Sequence, residues 1–223
     1  GRGSYKPFLD QVGGRSRRGA RRPVRLRPTK HLPETLTTEQ VAALLGACEH
    51  LRDRFLMALL GETGMRIGQA LGLRHADVVS RERTVRIVPR DDNANWARAK
   101  CRTETTIPVS GALVRLYREY LFDEYGDLDS DYVFVNLFAP PVGRPLRYSA
   151  VAGLVVRLRA RTGIDFNLHV LRHSAASEMV RAGVAIEVVS KMLTHANVAT
   201  TSGTYVHLGV EDIRAELVRA GVR

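Results

Sequence analysis

The chain is 223 residues long, 44% of them hydrophobic, with a mean hydropathy of -0.15. That is length enough to bury a full core, and no stretch approaches the ~18 uninterrupted apolar residues of a membrane helix. Its two cysteines, Cys48 and Cys101, are too few for a disulfide framework, no secretory signal opens the chain, and the formal charge of +11 with a pI near 10.3 points to a polyanionic partner in a reducing compartment.

The charge is unevenly spread. Residues 1–30 hold ten Lys or Arg against the single acid Asp10, so +9 of the total sits there and only +2 follows. This stretch contains Arg15, Arg17, Arg18, Arg21, Arg22, Arg25, Arg27 and Lys30, with Gly13-Gly14, Pro23 and Pro28 between them and little apolar periodicity. It reads as an arm that lies along phosphates, the alternative being a solvated tail. The chain therefore divides into a basic arm over 1–33 and a folded domain over 34–223.

Within the domain, Thr37 is placed to cap a helix carrying Val41, Leu44 and Leu45, with Gln40 at the reach-back position of a capping box. The apolar run Phe55 to Leu60 follows. Gly61 to Gly64 then breaks the pattern, and Met65 to Leu73 is predicted to be helical. Val85, Ile87, Thr106, Ile107 and Val109 favour strands, joined by the polar stretch Asp91 to Cys101. A helix is predicted from Ser110 to Glu124 and an extended piece from Tyr132 to Val135. Further helices are predicted over 148–161, 169–182, 185–193, 197–206 and 210–219. The expected class is mainly α with a small antiparallel β-sheet, that is α+β.

The acids are scattered, and the pair Asp91-Asp92 reads as a polar turn. No Walker lysine follows Gly61 or Gly64, which argues against a nucleotide-binding loop. His169 and His173 lie four apart on a predicted helix, but Val170 stands where a zincin needs Glu, so no metal site is expected. Arginine, lysine, histidine and tyrosine carry the chemistry instead. Arginine forks two hydrogen bonds onto phosphate oxygens and stays charged at any working pH. Arg66 and Arg172 are each held between apolar neighbours, and His169 lies three residues before Arg172, on the same helical face. His195 and Tyr205 follow, ten residues apart.

In order, these segments resemble the boxes of the tyrosine recombinase (phage integrase) family. Thr63-Gly64-Met65-Arg66, with Ala70-Leu71-Gly72-Leu73 and Asp77, is similar to its first arginine box. His169-Val170-Leu171-Arg172-His173-Ser174 resembles its His-x-x-Arg box, and Leu193-Thr194-His195 through Tyr205-Val206-His207 its closing segment. Lys100 falls where the family's hairpin lysine sits, ahead of Thr106-Ile107-Pro108. The resemblance spans about residues 34–219 and implies the tyrosine recombinase catalytic-domain fold.

It also implies roles. Tyr205 would attack the scissile phosphate of double-stranded DNA, leaving a 3′-phosphotyrosyl bond and a free 5′-hydroxyl. Arg66 and Arg172 would hold the phosphate oxygens, and Lys100 would protonate the departing 5′-oxygen. His169 would accept the proton of Tyr205, His195 would donate a hydrogen bond to the phosphate, and His173 would either support the site from behind or serve plain packing. No metal, ATP or other cofactor is called for.

The chain departs from the family pattern at three places. Gln69 stands where the family usually has Glu or Asp, Thr194 where it usually has Gly before the histidine, and the interval from His195 to Tyr205 is one residue longer than the commonest form. Tyr117, Tyr120, Tyr125, Tyr132 and Tyr148 lack the box context and are expected to be structural. The arm resembles an interdomain linker, and the expectation is that the family's N-terminal DNA clamp lies outside this sequence. The resulting expectation is a site-specific recombinase of integrase or transposase type, working as a tetramer in the synaptic complex. The isolated domain is expected to be a monomer in the cytoplasm, associated with the nucleoid and not with a membrane. The alternatives are DNA relaxation of the type IB topoisomerase kind and a catalytically silent DNA-binding protein. The apolar spacing of Ile213 to Val218 would suit packing on a neighbouring subunit or on its own domain.

Overall fold

A computed structural model describes residues 35–99, 101, 103–194 and 209–222. The first helix, α1 (Thr38–Gly46), begins as the sequence predicts. The Thr37 side chain accepts from the Gln40 amide, and Gln40 reaches back to the Thr37 N–H at 2.9 Å. Next comes α2 (Leu51–Thr63), which buries Phe55, Leu56, Met57, Leu59 and Leu60 together with the ion pair Arg52–Asp53. A helix apolar on most of its faces belongs in a core, and α2 is the central rod of this one.

The helix predicted over 65–73 is shorter, α3 (Ile67–Leu71). Gly64 takes φ +64 and ends α2, and Arg66 is extended as the residue capping α3, so Met65 and Arg66 form a turn. Periodicity alone does not register that break, because both neighbours of the turn are apolar. A single 3-10 turn (His75–Asp77) leads into a three-stranded antiparallel sheet of β1 (Val78–Val79), β2 (Thr84–Ile87) and β3 (Thr105–Pro108), in that order. Val85 pairs with Ile107, and with Ile87 these face the core.

Helix α4 (Gly111–Tyr120), capped by Ser110, runs on into a π-helical turn over Leu121–Tyr125. The piece expected to be extended, Tyr132 to Val135, is buried but bends at Val133 and Phe134, with isolated bridges from Tyr132 to Arg74 and from Val135 to Pro145. Then come α5 (Tyr148–Thr162), α6 (Leu168–Arg181), α7 (Ile186–Met192) and α8 (Val210–Arg219). Helices α4 and α6 pack on α2, and α8 packs on β3 of the same chain through Ile213 and Leu217, both fully buried. The helix predicted over 197–206 lies outside the described residues. No described helix is long and apolar enough to cross a membrane.

Candidate active site

Three chain breaks meet at one place. At the first, a Cβ on Gly64 would lie 2.5 Å from Leu193 Cδ2, and φ +64 is a conformation that favours glycine, so the close turn before Arg66 depends on this residue. The backbone N–H of Arg66 is taken by Gln69 Oε1 at 2.7 Å, which fixes the root of its side chain. At the second, Asn167 caps α6, its Oδ1 accepting from the His169 and Val170 amides at 2.9 Å each. His169 and Arg172 rise together from the turn so fixed. At the third, α7 ends at Leu193 and Thr194, the latter in the left-handed region at φ +51.

Both guanidiniums are seated on carbonyls at these breaks. Arg172 donates through Nη1 to the Gly64 carbonyl and through Nη2 to the Leu193 carbonyl at 2.8 Å. Arg66 Nη1 donates to the Thr194 carbonyl at 3.2 Å. Gly64 and Leu193 cap the C-terminal ends of α2 and α7, where the helix dipole is negative and favours a cation. Each guanidinium has five donors, so these bonds leave several N–H groups for a ligand.

Electrostatically the pair is under tension. Burial, and then the like charge of Arg66, push the Arg172 guanidinium down to about 10. It is still charged at neutral pH. Among the described residues neither arginine is ion-paired to a carboxylate. An anion seated between them would neutralise the repulsion and replace the lost hydration.

His169 and His173 meet through their Nε2 atoms at 3.0 Å, one donating and the other accepting. Burial first, then His169 and Arg172, hold His173 below the ordinary histidine value. His173 is therefore neutral near pH 7 and free to position the His169 ring. Among the described residues no three His, Cys, Asp or Glu side chains converge on one point.

Arg66, His169 and Arg172 line a cleft of ≈ 600 Å³, with Trp96, Arg98 and Tyr148 on its other side. Trp96 and Arg98 come from the loop joining β2 to β3, which is pinned at several points. Arg90 grips the buried carboxylate of Asp77 with two bonds of 2.7 and 2.9 Å. Asn95 Nδ2 donates to the Leu71 and Leu146 carbonyls at 2.9 Å each. Gly68 of α3 lies so close to the Arg98 peptide that a Cβ there would collide with it. The backbone two residues before Lys100 is thereby seated against the helix that Arg66 caps. Lys100, His195, Tyr205 and the arm residues Arg15, Arg17, Arg18, Arg21, Arg22, Arg25, Arg27 and Lys30 lie outside the described residues.

One link was not expected. Gln69 Nε2 donates to Thr194 Oγ1 at 2.6 Å, so two of the departures from the family pattern are each other's partners. They lie 125 positions apart in the chain, and nothing local to either signals the pairing. Of the tyrosines read as structural, Tyr117, Tyr120, Tyr125 and Tyr132 are buried, whereas Tyr148 is exposed and lines the cleft.

The model of the phage integrase family matches residues 34–211. This chain belongs to that family. Transposase A of transposon Tn554 from Staphylococcus aureus strain Mu50 is 41% identical over 215 residues, 96% of this chain and 59% of the transposase. The tyrosine recombinase XerD of Corynebacterium glutamicum is 31% identical over 196 residues, 83% of this chain and 60% of XerD. The chain thus spans about three-fifths of the length of these relatives. Among solved structures, XerA recombinase superposes with a TM-score of 0.63 at 26% identity, over 87% of this chain and 65% of XerA. The Tn1549 transposon integrase, solved with transposon right end DNA, has the same fold at a TM-score of 0.61 and 18% identity, over 88% of this chain and 68% of the integrase. The expected fold class, mainly α with a small antiparallel sheet, is the one observed.

Proposed function

We propose that the chain is the catalytic part of a site-specific DNA recombinase of integrase or transposase type. It cuts and rejoins double-stranded DNA through a 3′-phosphotyrosyl intermediate. The observation that carries this reading is the pair of arginines, Arg66 and Arg172, sharing one cleft with His169 and repelling each other, with no carboxylate paired to either among the described residues. A phosphodiester supplies the missing charge, and its transition state, richer in negative charge, supplies more.

Tyr205 attacks phosphorus, the Tyr205 O–P bond forming as the P–O5′ bond breaks. Its proton passes to His169, with His173 holding the ring, while Lys100 delivers a proton to the leaving 5′-oxygen and His195 donates to the phosphate. The phosphate ester bond is conserved in the linkage, so rejoining needs no ATP, metal or other cofactor. The arm residues run along the duplex, four such chains act in the synaptic complex, and the isolated domain is a monomer. The protein works in the cytoplasm, on nucleoid DNA.

The test is the trapping of a denaturant-resistant adduct on nicked duplexes of randomised sequence. Wild type is expected to form the adduct through Tyr205 on a 3′-phosphate, and Tyr205→Phe to form none while still binding DNA. An unchanged adduct in Tyr205→Phe would remove Tyr205 as nucleophile.

A further inference from the structure

The rim of the cleft carries an indole for which the fold has no use. Trp96 is 74% exposed, yet it sits at the tip of a tightly clamped turn. Its own N–H donates to the Asn93 carbonyl at 2.8 Å, and Asn93 Nδ2 donates to the Ala97 carbonyl at 2.8 Å. Asn95, buried beside it, is tied to Leu71 of α3 and to Leu146, and the Ala94 N–H reaches the Tyr132 hydroxyl at 2.8 Å. This network holds Trp96 at φ +58, a left-handed conformation that a bulky side chain adopts only under constraint. The fold therefore bears two costs at one residue, backbone strain and a large apolar ring in water. Such residues gather where a ligand binds.

The ring is also aimed. The Arg147 guanidinium lies over it at 4.5 Å from the centroid, a cation–π contact that steadies both groups. Tyr148, the next residue, opens α5 and faces the same cleft as Arg66, His169 and Arg172.

We propose that Trp96, braced by Arg147, packs face-on against the nucleotide adjoining the phosphate held by Arg66 and Arg172, and so sets the position of the DNA strand in the cleft. The inference rests on the reading that the cleft takes DNA. An aromatic face suits this role because the deoxyribose of any nucleotide in a duplex offers it an apolar surface whatever the sequence, and a nick opens a base face to it as well.

The experiment uses the fact that Trp96 is the chain's one tryptophan, so its emission reports this contact alone. The chain is titrated with end-labelled nicked duplexes of randomised sequence. Label anisotropy gives occupancy, indole emission and acrylamide quenching give the state of Trp96, and denaturing gels give the adduct. At saturation the emission is expected to fall and acrylamide to lose access. Trp96→Ala is expected to lower adduct yield at subsaturating DNA by about tenfold, and Trp96→Phe to restore most of it. Adduct formation with emission and acrylamide access unchanged overturns the inference and leaves the recombinase reading intact. Shielding of Trp96 without any adduct does the reverse, and occupancy with neither signal overturns both. If Trp96→Ala fails to fold, the wild-type titration still decides.

Discussion

Gly68→Ala tests whether the seating of the β2–β3 loop on α3 matters to the chemistry. Gly68 lies in a helix, where alanine is ordinarily favoured by about 0.5–1 kcal/mol. Here the added Cβ would overlap the Arg98 carbonyl oxygen and sit 3.2 Å from its carbon, against an ordinary carbon–carbon contact of ~3.5–4.0 Å. Both groups are backbone, so neither can swing aside, and the loop must retreat by several tenths of an ångström or more. Overpacking of this kind costs about 1–3 kcal/mol. The balance is a net loss of roughly 0–2.5 kcal/mol, or a fall in Tm of up to about 10 °C for a domain of this size. The effect on cleavage is expected to be larger, up to about 100-fold, because a misplacement near 1 Å is enough for that and Lys100 follows Arg98 by two residues. The assay is single-turnover adduct formation beside a thermal melt, with Gly61→Ala as control. A Cβ at Gly61 meets only Leu171 and Val41 side chains at 3.6 and 3.7 Å, so this variant should gain about 0.5–1 kcal/mol and cleave normally. Wild-type cleavage by Gly68→Ala, or equal damage in Gly61→Ala, would refute the reasoning.

Three further outcomes follow from the site. Arg172→Lys keeps the charge but cannot span the Gly64 and Leu193 carbonyls with a planar fork. Single-turnover cleavage should drop by roughly 100- to 1,000-fold while duplex binding, followed by anisotropy, stays within a few-fold of wild type by the same rule that bulk phosphate contacts dominate affinity. Thr194→Gly relieves a positive φ but strands the buried Gln69 amide, so a urea-unfolding cycle with Gln69→Glu should show coupling of about 1 kcal/mol, and simple additivity would show that the two residues are independent. For pH, His173 is held below its ordinary 6.5 in the fold. The unfolded chain then takes up that proton first, so stability falls as pH drops below about 6.5. His75, likewise lowered by burial, acts in the same direction. His173→Asn removes only its own share, and its Tm should fall less than that of wild type between about pH 7 and pH 5.

Local chemistry written in the sequence was enough for most elements and for the family. The capping box of Thr37 and Gln40, the strand residues around Val85 and Ile107 and the helices expected around 148–161, 169–182, 185–193 and 210–219 all have short-range causes, and the structure bears them out, while the helix expected over 197–206 lies outside the described residues. The placing of His169 and Arg172 on one helical face also follows from their spacing. The late end of α2, which runs through Gly61 to Thr63 where a break was expected, and the short α3 were less legible, since only a left-handed Gly64 and a capping Arg66 interrupt the helical pattern.

What only the tertiary structure decided is which distant groups share a surface. The Gln69–Thr194 bond, the seating of Arg172 on the ends of two helices, the packing of α8 on its own chain's sheet and the placing of Trp96 and Tyr148 beside the arginines all join residues far apart in the chain. The physical reason is range. Propensity, capping and turn chemistry act over a few residues, whereas charge repulsion and close backbone approach arise only once burial has brought separate segments together.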